Sequence, residues 1–321
     1  MTARHGIAVA GSILVDRIYE ISAYPQEGEL TKINKITRAV GGCVPNVAID
    51  LKKIVPALEI SAIGKLGTDD DGTFVREVLE ASGVRCDGLI SAKKFATGFT
   101  DVMSVVGGQR TFFTHCGANS DFGIADIDFE KLDSRMLHLG YFLLLDRIDR
   151  GDGVNILKEA TSRGIKTSID LVSENSDRYS SVIPCLPYTD NLIINEIEAA
   201  GITGISPERE NLPKIAHALR DMGVKERVII HTAELGICLS ERGLTTLPSF
   251  KLPDGYIKGT TGAGDAFCAG ALIGIYEDLS DLELLRLAST AAAASLGAPD
   301  ATSGLATKEE MIKFAKALER R

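Results

Sequence analysis

The chain has 321 residues, 45% of them hydrophobic and 25% charged, proportions that suit a soluble globular protein of one α/β domain with room for a small appendage. Lys and Arg number 35 against 44 Asp and Glu, a formal net charge of −9, which argues against a broad basic surface for nucleic acid but leaves room for a local basic pocket. No apolar run approaches the roughly 18 residues of a membrane span, the first residues lack the order of a secretory signal, and the six cysteines are scattered without a CxxC pair, so a cytoplasmic protein with reduced thiols is expected.

The chain opens on GIAVAG, an apolar run that predicts a buried strand. Alternating stretches at Asp16–Ser22 and Lys32–Val40 follow, split by the turn signal Pro25-Gln-Glu-Gly28. Val44, Val47, Ala48, Leu51 and Ile54 share one face of a helix over Val44–Val55. A strand is predicted at Ile60–Gly64, a helix over Asp71–Ser82, and a hairpin at 97–115 that turns at Gly107-Gly108. Thereafter helix 152–163 leads to strand 165–170, strand 190–194 to a helix, and helix 211–222 to strand 227–231. Helices near 265–277, 281–296 and 307–319 close the chain. Strands separated by helices imply a mainly parallel sheet covered on both faces, a three-layer α/β/α domain. The segments at about 16–40 and 97–115 interrupt that rhythm. They predict a small separate sheet, either a lid over a ligand crevice or an edge hairpin without a gating role.

The densest chemistry is Gly259-Thr-Thr-Gly-Ala-Gly-Asp265, followed by the apolar helix AFCAGALIGIY. The glycines sit at a helix N-terminus, where unpaired N–H groups and the dipole favour an anion. Glycine also lets the backbone approach a phosphate. Asp265 is either a helix cap, which would fill those N–H groups, or a general base facing an incoming hydroxyl. No Lys-Ser or Lys-Thr follows the glycines, so this is not a Walker loop, and GIAVAGSILVD lacks the dinucleotide spacing.

With these residues in view, the sequence resembles the ribokinase-like, or PfkB, family of carbohydrate kinases over nearly its whole length. GTTGAGDAF resembles the family's C-terminal signature, and GGCVPNVAIDL at Gly41–Leu51 its N-terminal one. NEIE at Asn195–Glu198 resembles its N-x-x-E motif. GSILVD, IGKLGTDDDG and HCGAN fall in family order between and before them.

The resemblance implies an ATP-dependent kinase needing Mg²⁺, with Asp265 as base and Gly262, Ala263 and Gly264 as anion hole. Asn195 and Glu198 would organise the phosphates and Mg²⁺, largely through water; the other reading of NEIE is a capped helix start. Asp16, Gly41, Gly42 and Asn46 would hold the acceptor's hydroxyls. From the residues alone, Asp16 is equally a solvated strand-end acid and Asn46 a helix cap. His231 and Gly236 stand where the family has its nucleotide loop, although HTAELG departs from that pattern and His231 is equally a buried strand-end residue. Gly259 replaces the usual acid, which puts a monovalent-cation site in doubt.

A sugar acceptor is favoured over a nucleoside, whose base would need a shelf from Phe99, Phe112, Phe113 or Tyr141. Lys65 and Arg110 are the candidates for a phosphosugar's charge. A catalytically silent sugar-binding regulator is the third reading, weakened by the intact Asp265 and glycine loop. An apolar face on a projecting small sheet predicts a homodimer formed through it.

Overall fold

The computed structural model describes residues 4–105, 110–174 and 176–321. Strand β1 (Ile7–Gly11) lies deep in a nine-stranded sheet and shows how the domain is layered. Its side chains alternate between two cores. Ile7 and Val9 enter one; Ala8 and Ala10 enter the other, on the opposite face. A strand buried on both faces needs no polar alternation, so the run reads as continuously apolar.

The chain leaves this sheet through β2 (Leu14–Ile21) and β3 (Ile33–Gly41), then returns through α1 (Cys43–Ile54) and β4 (Ile60–Gly67). Helix α2 (Asp70–Ala81) starts where the Asp69 carboxylate accepts from the Gly72 amide. It leads to β5 (Arg85–Ala92), which pairs with β4 at one edge. Next come β6 (Gly98–Val105) and β7 (Arg110–His115), then β8 (Met136–Phe142), α3 (Gly153–Ser162), β9 (Lys166–Leu171) and β10 (Asn191–Asn195). Helices α4 (Glu196–Thr203) and α5 (Leu212–Asp221) precede β11 (Arg227–His231), β12 (Leu235–Ser240) and β13 (Gly243–Pro248). After the short β14 (Phe250–Lys251) come α6 (Ala263–Tyr276), α7 (Asp281–Ser295), α8 (Lys308–Lys316) and β15 (Glu319–Arg320).

The large sheet has the order β13-β12-β11-β10-β9-β8-β1-β4-β5. Neighbours from β5 to β11 pair in parallel; β12 and β13 add antiparallel strands at one edge. This is the expected three-layer α/β/α arrangement. The expected helix over 307–319 is shorter, because its last residues leave α8 and pair β15 with β14. Strands β5, β8, β12 and β13 lie where the sequence pattern predicts no element.

The small sheet has the order β3-β2-β6-β7, so the two early segments and the later hairpin form one unit. Parallel pairing of β2 with β6 joins the halves. The expected turn at Gly107-Gly108 lies outside the described residues. The register sets one row of Ala39, Asp16, Thr100 and Thr114, a second of Thr37, Ile18, Val102 and Phe112, and a third of Lys35, Glu20, Ser104 and Arg110. These rows share a face, because paired residues point the same way and alternate residues agree.

Helix α6 is apolar all round and buried from Asp265 to Ile275. It packs between α1 and α7. At its crossing with α7, a Cβ on Gly270 would lie 2.7 Å from the Ala288 Cα. Backbone cannot yield as a side-chain tip can. Gly270→Ala should therefore lower stability by about 1–3 kcal/mol, read as a lower urea midpoint at unchanged slope; an unchanged midpoint would show that α7 shifts freely.

Candidate active site

Open α/β sheets bind ligands beyond the carboxyl ends of their strands, and the expected site residues collect there. Helix α6 begins at Gly262, whose φ is 81°, and its first helical bond runs from the Ala266 amide to the Gly262 carbonyl at 2.8 Å. The amides of Gly264 and Asp265 lie ahead of that bond, as at any helix start. A Cβ on Gly262 would meet the Ala301 Cα at 2.5 Å, so packing demands glycine there. At Gly264 the nearest atom to a Cβ is His231 Cε1, at 3.7 Å. Packing leaves that position open, and the space in front of it suits a ligand.

Asp265 does not cap its own helix. The Asn46 amide Nδ2 donates to its Oδ2 at 2.9 Å, and the Tyr141 hydroxyl lies 2.9 Å from Oδ1 and 3.0 Å from Oδ2. Burial pushes the Asp265 carboxyl up to about 7; Asp170 adds to the rise, and the Asn46 and Tyr141 hydrogen bonds oppose it. Asn46 is interior to α1, whose N-cap is Gly42, so it is not the helix cap. Its Oδ1 is buried and has no hydrogen-bond partner among the described residues. A free buried acceptor beside a carboxylate fits a ligand hydroxyl.

Tyr141, weighed above only as a shelf, is the chief surprise. It lies where the pairing of β8 with β9 shifts register, at φ 60°, with Leu143 at φ 80°. Asp170 Oδ1 accepts from the Tyr141 amide at 2.7 Å, and Asp149 Oδ1 from the Leu143 amide at 2.9 Å. Behind Asp170 lie His138, at 3.4 Å, and Cys43, at 3.9 Å, both buried.

A cavity of about 190 Å³ opens in front of Asp265, lined by Asp170, Ser173, Asn195, Glu198, His231 and Gly264 among others. Asn195 and Glu198 form a capping box at the start of α4. Glu198 Oε2 accepts from the Asn195 amide at 3.0 Å, and Oε1 from Ser173 Oγ at 2.9 Å. Burial pushes the Glu198 carboxyl up to about 8 against those bonds. The carboxylate, hydroxyl and amide oxygens on this wall form a hard donor set that fits Mg²⁺ and its waters.

A second cavity, of about 360 Å³, shares His231 and Gly264 with the first and is walled by Gly236, Phe250, Ile257, Phe267 and Leu296. His231 sits at the junction, tilted against Phe267 at 4.7 Å between ring centroids. Burial depresses its pKa to about 4, so the ring is neutral at pH 7. A larger cavity of about 530 Å³ between α7 and α8 shares only Phe250 with these walls and contains none of the predicted site residues.

On the small sheet, burial pushes Asp16 up to about 6, opposed by Arg110. A Cβ on Gly41 would lie 2.6 Å from both Asp16 carboxylate oxygens, so glycine makes room for that acid. Gly42, at φ 85°, turns the chain into α1. Arg110 Nη1 donates to Thr261 Oγ1 at 2.7 Å and Nη2 to the Pro299 carbonyl at 3.4 Å, so the small sheet touches the glycine loop. Lys65 is instead held by Asp121 at 2.7 Å and Asp126 at 3.1 Å, an ion-pair cluster at the edge of the core. Of the aromatic candidates, Phe112 shares the face of Asp16; Phe99 and Phe113 belong to the opposite face, with Phe99 under the Arg17 guanidinium. At Gly259 a Cβ would meet the carbonyl oxygens of Ala298 and Pro299 at 2.9 and 3.0 Å.

A family model for pfkB family carbohydrate kinases matches residues 4–308. A ribokinase of Arabidopsis thaliana is 26% identical over 317 residues, covering 97% of this chain and 81% of that protein. The structure of an Arabidopsis thaliana ribokinase complexed with ribose and ATP superimposes with a TM-score of 0.83 at 23% identity, covering 98% of this chain and 99% of the other. A nucleoside kinase of Methanocaldococcus jannaschii gives 0.80 at 14% identity, with coverage of 98% and 99%. By its match over almost the whole sequence, the chain belongs to the pfkB family of carbohydrate kinases and is an ATP-dependent enzyme of that class.

Proposed function

We propose that the protein transfers the γ-phosphoryl group of ATP to a hydroxymethyl group of a small sugar, with Asp265 as general base. One observation carries this: a buried carboxylate at the start of α6 is turned away from its own helix amides, so base and anion hole stand side by side without competing. The acceptor hydroxyl gives its proton to Asp265 while its oxygen attacks the γ-phosphorus. The bond to the β,γ-bridging oxygen breaks, and ADP leaves. The amides around Gly262, Ala263 and Gly264 take up charge on the transferring group. Mg²⁺, when bound, neutralises phosphate charge; Glu198, with Asn195, would hold its waters from the cavity wall.

The joined cavities support the donor's placement, with phosphates near Gly264 and Glu198 and the base in the apolar space beside His231 and Gly236. Asp16, Thr100 and the free Asn46 Oδ1 offer acceptors and hydroxyls to a polyol, with Gly41 making room for Asp16 and Gly42 turning the chain toward Asn46. A nucleoside's shelf is reduced to Phe112, since Tyr141 is tied to the base. This favours the sugar. An ADP-release screen across pentoses, ketohexoses, hexoses, sugar acids and nucleosides tests the acceptor; turnover with nucleosides alone would overturn it.

The small sheet acts as a lid in this scheme, latched by Arg110 on Thr261, and keeps water from the phosphoryl group. Ile36 and Phe113, both more than half exposed on the face away from Asp16, support its pairing with a second copy.

Asp265→Asn should lower turnover about 10²–10⁴-fold and leave ATP affinity nearly unchanged by calorimetry; wild-type turnover would send the proton elsewhere. Glu198→Gln should raise the Mg²⁺ needed for half-maximal rate about 10–100-fold with little change in acceptor KM. An unaltered metal response would reduce Asn195 and Glu198 to a helix cap. Acceptor binding should protect amides of β2, β3, β6 and β7 from hydrogen exchange more than ATP alone does. Equal protection by either ligand would count against the lid.

A further inference from the structure

We propose that Tyr141 is a positioning residue for the base: its hydroxyl, within hydrogen-bond reach of both oxygens of Asp265, fixes the carboxylate together with Asn46 while leaving it lone pairs for the acceptor hydroxyl, and favours the ionised form where no cation pairs with it. This rests on Asp265 being the base.

The hydrogen-bond count gives the aim. Asn46 Nδ2 donates to Oδ2 at 2.9 Å, and the Tyr141 hydroxyl, with one proton to give, lies 2.9 Å from Oδ1 and 3.0 Å from Oδ2. Each carboxylate oxygen has two acceptor sites. Two donated protons fix the carboxylate and leave lone pairs for the acceptor hydroxyl. Fixing a base by two donors from different elements removes rotations that would have to be frozen during transfer.

The electrostatics give the need. Asp265 is faced by Asp16 from β2, by Cys43 and Asp50 from α1, by Tyr141 from β8, by Asp170 from β9, and by Cys268 on its own helix. These are acids and weak acids. Among the described residues no lysine, arginine or histidine pairs with it; its partners are the neutral donors Asn46 and Tyr141. Hydrogen bonds to the charged form are the counterweight to burial and like charge. Tyr141 itself cannot take over as base, because burial and Asp265 hold its phenol well above the ordinary range.

The backbone gives independent support. A non-glycine residue at φ 60° is unfavourable and persists only when surroundings over-determine it. Here Asp170 holds the Tyr141 amide at 2.7 Å, Asp149 holds the Leu143 amide, and Arg178 Nη2 holds the Leu143 carbonyl at 2.6 Å. A regular β8 would have carried residue 141 along the pleat. The turn instead delivers a phenol hydroxyl to the base.

The test is kcat against pH from 5 to 9 at saturating ATP and sugar. Tyr141→Phe removes one oxygen and keeps the ring. With a donor to the carboxylate gone, the acid limb should move up by about one pH unit, a tenfold change in proton affinity. Site-specific 3-fluorotyrosine at 141 keeps the hydroxyl and strengthens it as a donor, so its acid limb should move down. A merely structural role would alter thermal stability or acceptor KM and leave both limbs in place. Limbs that stay at the wild-type position, or that move opposite to these directions, overturn the proposal; if Tyr141→Phe does not fold, the fluorotyrosine enzyme decides alone. Asp265→Asn in the same assay separates the two ideas. A dead Asp265→Asn with an unmoved Tyr141→Phe limb defeats only the role of Tyr141, whereas an active Asp265→Asn defeats the base itself.

Discussion

A carboxylate only 4% exposed, at the start of an apolar helix, is the constraint around which the rest is arranged. Water would stabilise its charge; the interior does not. Neutral donors replace that water, and each comes from a different part of the chain. Asn46 stands on α1 because Gly42 turns the backbone there. Tyr141 stands at the end of β8 because Asp170, on the next strand, anchors its amide. The packing of α1 against α6 is thus as much a part of the chemistry as the glycine loop.

The parts of this site legible in sequence are those that depend on neighbours along the chain. Gly262, Gly264 and Asp265 announce themselves because a glycine run before an apolar helix has few other uses. Gly41 and Gly42 do so for the same reason, and the structure gives Gly41 a particular one, since a Cβ there would collide with Asp16. Asn46 was legible as a site residue but not in its contact. Which side chain its amide meets depends on a helix that begins far downstream. Tyr141 was legible only as a possible aromatic shelf, and Asp170 left no signal. Their roles arise from a register shift between two parallel strands and from a positive φ that no periodicity encodes. Strand β12 was hidden differently: HTAELG reads as a loop motif, while its residues turn β11 into β12.

Asn195 and Glu198 form a helix cap with the same atoms that the proposed function assigns to Mg²⁺ and its waters. The capping box completes α4's unpaired amides and also turns an acid toward the cavity. Sequence offered these as alternatives, a cap or a ligand shell; the geometry makes them compatible. Asp265 is the opposite case. Its helix start has no side-chain cap, and the proposed anion hole uses the amides left open there.

The bond between Asn46 and Asp265 spans 219 positions. A ribosome adds about 5–20 residues per second, so roughly 10–45 s separate the emergence of one partner from that of the other. Throughout that interval α1 and the strands β1 and β4 that it packs on have been made, but α6, its other neighbour, has not. The face of α1 that α6 will cover thus stays open to misassociation during synthesis until α6 arrives, bringing Asp265 to Asn46.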